Sequence, residues 1–172
     1  MKHMKSALLM LTFCTAVFVA CKKDNDSTTN LKVRMTDSPA DWDEVNIDLK
    51  QVNVKFSDDS SSNDGWVSLD TKPGMYNLLD FQNGVDTLIA QGQVSTDVVK
   101  EIRLVLGSGN TIKVNGQTYP LTVPSGETSG LKIKVDRKLA ANLDSLLIDF
   151  DALLSVKEEN GAYKLRPVIR LK

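Results

Sequence analysis

Between Val45 and Phe56 the apolar residues fall first on odd positions (Val45, Ile47, Leu49) and then on even ones (Val52, Val54, Phe56). Alternation of this kind buries one face of a strand and leaves the other in solvent. Strand side chains repeat every two residues, so a change of parity needs one extra residue in the ladder. The spacing predicts a long strand with a bulge or bend near Lys50-Gln51. Beyond residue 21 no segment sustains a 3.6-residue apolar period, so the core has to be assembled from strands.

The rest of the chain has the same texture. Leu31, Val33 and Met35 alternate with Lys32 and Arg34, and Thr36-Asp37-Ser38-Pro39 turns the chain. Ser57–Gly65 is a polar loop, and Trp66, Val67 and Leu69 begin a short strand. Met75–Phe81 fits either a strand or one helical turn, and Val85–Val94 reads as a strand. Ile102, Leu104 and Leu106, with Val105 between them, are apolar on nearly both faces, as in a central strand. Asn115-Gly116 and Asn160-Gly161 are hairpin signals. Leu131–Val135 and Leu146–Phe150 are further strands, with a short helix expected within Asp136–Ser145. Pro167 confines the last strand to an edge or a bulge. Nine to eleven short strands result, at the spacing of sandwiches and barrels. The fold class expected is all-β: a Greek-key β-sandwich first, a closed barrel second.

The N-terminus is of another kind. Lys2 and Lys5 precede a largely apolar run, Ala7–Ala20, and Cys21 follows the small Ala20. That is the layout of a secretory signal. At about 1.5 Å per residue the run reaches about 21 Å, short of a hydrocarbon core of about 30 Å. Phe18-Val19-Ala20-Cys21 resembles a bacterial lipobox, with Phe18 where that pattern usually carries Leu. The resemblance implies cleavage before Cys21, diacylation of its thiol and acylation of its new amino group. The expected organisation is a signal peptide over 1–20, a tether over 21–30 and one sandwich domain over 31–172. Cys21–Asn30 (CKKDNDSTTN) has no apolar residue beyond the cysteine, which suits a flexible tether. It also looks like the surface-export signal of Bacteroidetes lipoproteins, although it opens with Lys22 and Lys23. An ordinary soluble tether accounts for it equally.

Cleavage would have chemical consequences. It removes His3, the one histidine, and Cys14, while lipidation would occupy Cys21. The mature domain would then hold no imidazole, no free thiol and no disulfide. Ser-His-Asp and Cys-His catalysis are excluded on that footing, as are the usual zinc sites. Cleavage also removes two of the 21 basic residues and none of the 22 acids. The mature chain is mildly acidic, without a basic run suited to nucleic acid. An enzyme built from what remains would depend on carboxylates, as glycosidases do.

Several phrases together resemble a family of bacterial lipoprotein domains known as domain of unknown function 4382. They are Met35-Thr36-Asp37-Ser38-Pro39-Ala40-Asp41-Trp42-Asp43 with Val45-Asn46-Ile47-Asp48, and Ile102-Arg103-Leu104-Val105-Leu106-Gly107 with Asn110. Pro124-Ser125-Gly126, Ser129-Gly130-Leu131-Lys132-Ile133, Asp149-Phe150-Asp151-Ala152 and Leu165-Arg166-Pro167-Val168-Ile169-Arg170 complete the set. The resemblance covers Leu31–Lys172. It implies an immunoglobulin-like or prealbumin-like sandwich, of a type often seen in carbohydrate-binding modules and common on Bacteroidetes surfaces. It brings no catalytic residues.

Individual candidates follow. Asp37, Asp41, Asp43, Glu44 and Asp48 form an acid-rich stretch that invites calcium, although it lacks the EF-hand pattern and also suits a solvated turn. Asp149 and Asp151 should share one strand face, opposite Phe150. They are a catalytic carboxylate pair or, more simply, acids on the solvent side of a sheet. Trp42 and Trp66 border polar loops, where a large ring either folds back onto the core or meets a partner such as a sugar. Tyr76, Tyr119 and Tyr163 read as strand residues with hydroxyls reaching solvent, and Asn110, Ser125 and Ser129 as loop hydrogen-bonders. The expectation is a non-catalytic binding domain of the cell envelope, held at the outer membrane by lipid on Cys21 and binding a glycan or another extracellular ligand. A structural subunit that meets a surface protein is the second reading, and a carboxylate-dependent glycosidase the third. No cofactor is required beyond the calcium considered for Asp37, Asp41, Asp43 and Asp48, and no nucleic-acid partner is expected.

Overall fold

A computed structural model describes residues 28–56, 65–124 and 130–172. The expected signal peptide, Cys21 and most of the expected tether lie outside the described residues, as do most of the 57–65 loop, Ser125 and Ser129. β1 (Thr28–Asp37) starts three residues before the first alternating leucine. Thr28–Asn30, placed in the tether by composition, is strand because Thr29 pairs with Asn142 on one side and Val94 on the other. Backbone pairing on both flanks decides what polarity alone does not.

Two sheets form. In the first, β1 is central, antiparallel to β6 (Thr87–Ser95) and parallel to β11 (Asn142–Phe150). β4 (Asp70–Thr71) adds to β6, and β14 (Ile169–Leu171) to β11. In the second, β2 (Glu44–Lys55) runs beside β7 (Val98–Leu106), which pairs with β10 (Leu131–Lys138). β8 (Thr111–Val114), β9 (Gln117–Thr122), β13 (Ala162–Leu165) and β12 (Val156–Glu159) extend the sheet to the other side. β3 (Trp66–Ser68) and β5 (Gly74–Asn77) pair with the two ends of β2. The fold is an all-β sandwich, and the second expectation fails because the sheets do not close into a barrel.

The parity change in β2 is a bulge. Its register against β7 shifts between Leu49 and Gln51, which keeps Val45, Ile47, Leu49, Val52 and Val54 all buried on the inner face. Facing them are Leu31, Val33, Met35, Leu146, Ile148 and Phe150, also fully buried. Both hairpin signals hold: Asn115-Gly116 and Asn160-Gly161 carry φ of 50° and 81°, and of 54° and 75°. Consecutive positive φ values are the type I′ requirement, which Asn-Gly meets at low steric cost.

Other expectations are corrected. Asp136–Ser145 holds no helix. β10 runs on to Lys138, and β11 begins at Asn142. The buried Asp144 carboxylate makes the turn, accepting from Ala140 N (2.6 Å), Ser145 N (2.7 Å) and Arg137 Nη2 (2.6 Å). Nine consecutive pairings to β1 then override the helix-forming composition. Met75–Phe81 is both things expected of it in turn: the end of β5, then a 3-10 turn, Leu78–Phe81, capped by the Asn77 side chain. Ala152–Ser155 is a single helical turn, α1, capped by Asp151. The strands number fourteen among the described residues, in part because runs split where the chain passes from one sheet to the other, as at Leu69, between β3 and β4, and at Arg166–Val168, between β13 and β14. β14 is an edge strand, as Pro167 foretells.

Candidate functional site

The outer face of the second sheet assembles side chains from three separate parts of the sequence. Val54, Ile102 and Ile133 lie side by side on the inner face, so their neighbours point away from the core, where Lys55, Asn53 and Glu101 are nonetheless buried. Two cross-strand rows result. One is Trp66, Lys55, Glu101 and Lys134; the other is Ser68, Asn53, Arg103 and Lys132. Between the rows, the Arg103 guanidinium lies 4.0 Å from the Trp66 ring centroid and Lys55 Nζ lies 5.7 Å from it. Both distances are within cation–π range. Ser68 Oγ donates to Asn53 Oδ1 at 2.9 Å. Gly130 lies against the arginine stem, where a β-carbon would come within 2.8 Å of Arg103 Cγ.

Several polar groups on this face have nothing to bond. Arg103 Nε and Nη2, Trp66 Nε1 and Glu101 Oε2 are shielded from water and have no hydrogen-bond partner. Nε and Nη2 form one edge of the guanidinium, the edge that grips a carboxylate with two parallel bonds. Unsatisfied buried donors and acceptors are expensive and uncommon in native folds. This face lies toward the end where β1 begins. Ser95 of β6 pairs with Thr28, and β7 starts three residues later and brings Glu101 beside Lys55.

A second polar cluster sits at the opposite end. Asp37, Asp149 and Asp151 are all buried, which corrects the solvent-side placement of the last two. Asp37 Oδ1 accepts from Ala152 N at 2.9 Å and Oδ2 from Gln82 Nε2 at 3.3 Å. Burial pushes its carboxyl up to about 6, with those hydrogen bonds opposing the rise and neighbouring Asp149 adding to it. Asp149 accepts from Ser38 Oγ (3.1 Å) and pairs with Arg170 Nε and Lys172 Nζ, each at 3.3 Å. Asp151 accepts from Leu154 N at 3.0 Å and pairs with Arg170 Nη2 at 3.2 Å. Asp149 and Asp151 do share a face, but both are engaged by Arg170 rather than open to a substrate. The cluster fastens β1, β11, β14 and α1 together.

The acid-rich stretch does not converge. Asp37 points into the cluster just described. Asp41 is exposed, Asp43 accepts from Gly116 N at 2.7 Å, Glu44 pairs with Lys113, and Asp48 pairs with Lys50. Among the described residues no group of three or more such side chains is placed to hold a metal ion. Glu44 and Asp48 share a face of β2, but each is engaged by its own lysine, and Asp37 belongs to the cluster at the end of β1.

The two tryptophans differ. Trp42 is half-buried against the core, with its ring edge-on to Tyr163 at 6.5 Å, and Tyr163 is 5.2 Å from Tyr119. It caps the end of the core, and its Nε1 is also unpartnered. Trp66 belongs to the outer face. All three tyrosines lie on strands, as expected, and the exposed Tyr76 hydroxyl donates to Lys72 O at 2.7 Å; Tyr163 departs from expectation in being buried. Asn110 is structural, its side chain accepting from Asp48 N (2.9 Å) and donating to Gly107 O (2.7 Å). Arg103, Glu101, Asn53 and Lys132 were not marked out by the sequence. Each is simply the polar partner in an alternating strand, and only the register between strands groups them.

The family model for Domain of unknown function (DUF4382) matches residues 28–167. The chain belongs to that family. The DUF4382 match takes in β1 through β13 and both rows of the outer face, and stops short of β14. Searches of curated proteins and of solved structures found no match. Among the described residues no helix of this DUF4382 domain is long and apolar enough to cross a membrane.

Proposed function

We propose that this DUF4382 protein is a lipid-anchored, non-catalytic binding protein of the bacterial cell envelope that holds a glycan on the outer face of its second sheet. The observation that carries the reading is the Trp66 indole, fixed by Arg103 at 4.0 Å among Asn53, Ser68 and Glu101. A flat ring can stack on the apolar face of a pyranose, while amide, hydroxyl, carboxylate and guanidinium groups serve its hydroxyls. The unpartnered acceptor on Glu101 and donors on Trp66 and Arg103 suit a ligand rich in hydroxyls, since each hydroxyl both donates and accepts.

Anchoring rests on Phe18-Val19-Ala20-Cys21. From Cys21 to Thr28, seven residues at about 3.5 Å each span at most about 25 Å, so a lipid on Cys21 would keep the sandwich near the membrane, at the outer membrane of a Bacteroidetes-type envelope. Two measurements test the reading. A glycan array probed with the protein and with Trp66→Ala should show binding that the variant loses while its melting temperature stays close to the parent's. Membrane partition should disappear in Cys21→Ala; a cleaved Cys21→Ala protein that still partitions into membranes refutes the anchor.

A further inference from the structure

Resting on the glycan reading, we propose that the outer face of the second sheet recognises an anionic saccharide, one whose ring carries a carboxylate or sulfate, through Arg103 and Lys132. Three observations lead there. Lys132 and Arg103 are directly opposed across β10 and β7, and like charges in that position destabilise a sheet. Lys134 occupies the neighbouring position on β10, beside Glu101, so this face gathers cations in a chain whose acids outnumber its bases. The Nε–Nη2 edge of Arg103 is shielded from water and unpartnered, although it has the fork geometry of a carboxylate or sulfate contact. A bound anion relieves both costs, by bridging Arg103 and Lys132 and by filling the vacant donors.

The ring carrying that anion has its own contacts to make. With the acid group on Arg103, the sugar ring lies toward Trp66, and its hydroxyls meet Trp66 Nε1 as acceptor and Glu101 Oε2 as donor. Directional needs of both signs favour a saccharide over a diffuse headgroup layer. Because the guanidinium edge is shielded, binding has to be accompanied by side-chain movement, and association is slower than electrostatic encounter alone.

The test is calorimetric titration of the full chain with polygalacturonate, dextran sulfate and neutral dextran, repeated with Arg103→Gln and the exposed Lys132→Gln. Lipid controls use anionic phosphatidylglycerol vesicles and the Cys21→Ala chain, so that no lipid anchor contributes. One or both anionic polymers should bind, the preferred one identifying carboxylate or sulfate. Arg103→Gln should weaken binding about tenfold or more, and Lys132→Gln severalfold, the loss expected for charge-assisted contacts. Equal binding of dextran, unaffected by either variant, overturns the anionic inference and leaves the glycan reading standing. No saccharide binding at all, whether here or on the array, overturns both, and vesicle binding in that case identifies a membrane-facing surface. Should Arg103→Gln fail to fold, Lys132→Gln carries the decision.

Discussion

Replacing Asp37 by Asn should make the protein more stable at neutral pH and less sensitive to pH. Asp37 titrates from an ordinary 3.8 up to about 6 in the folded protein, mainly because burial disfavours the anion, against hydrogen bonds from Ala152 N and Gln82. A carboxyl whose folded value lies above its unfolded value is held more tightly as the acid in the native state. Its contribution to stability is complete below about pH 3.8 and is lost as pH rises through about 6. A shift of about two units at about 1.4 kcal/mol each gives about 3 kcal/mol as the ceiling on that loss. Asn is close to isosteric, and its oxygen can keep the Ala152 N–H. Its amide nitrogen requires Gln82 to turn its own oxygen inward, which gives up the 3.5 Å contact from Gln82 to Ser38 O. The variant should therefore match or slightly trail the parent at pH 4 and exceed it by about 1–3 kcal/mol at pH 7.5. Urea unfolding followed by tryptophan fluorescence from pH 4 to 8 measures this. The other acids are common to both proteins, so the difference curve reports position 37 together with its coupling to Asp149. A difference that does not change with pH, or a variant weaker than the parent at pH 7.5, refutes the reasoning and means that the hydrogen bonds outweigh burial.

Further outcomes follow from the same structure. Phe150→Ala, at a fully buried position opposite β2, should cost about 3–5 kcal/mol in urea unfolding. Gly116→Val forces a β-branched residue into φ 81° at the β8–β9 turn and should cost about 1–2 kcal/mol; Gly116→Asn should cost less. Gly107→Ala would drive a β-carbon into Asp48 Oδ2 and Lys50 Cε, displacing that ion pair, and should lower stability by about 1–2 kcal/mol with a normal fluorescence spectrum.

What could be read from the sequence, and what could not, divides by range. The bulge in β2 was legible because parity is a local property, and the two Asn-Gly turns because positive φ at both positions is a local requirement. The helix expected over Asp136–Ser145 failed where local composition met a long-range constraint: β11 is claimed by β1 over a hundred residues away. The candidate site shows the same division. Trp66 stood out as a large ring next to a polar loop, whereas Arg103 looked like any charged residue between two apolar ones. Only the register of β3, β2, β7 and β10 sets Trp66, Lys55, Asn53, Arg103 and Lys132 on one face. Asp37 was singled out for the wrong company, with acids adjacent in sequence instead of Asp149 and Asp151, which β11 delivers.

The central claim is that ligand meets the outer face of the second sheet at Trp66, and the two tryptophans of the chain allow it to be tested by position. Trp42→Phe leaves Trp66 as the sole reporter, and Trp66→Phe leaves Trp42. Titrating both with the saccharide that binds most tightly on the array should change the emission of the Trp66 reporter saturably and leave the Trp42 reporter flat. A saturable response from Trp42, with Trp66 silent, would contradict the account and move the site to the opposite end of the sandwich.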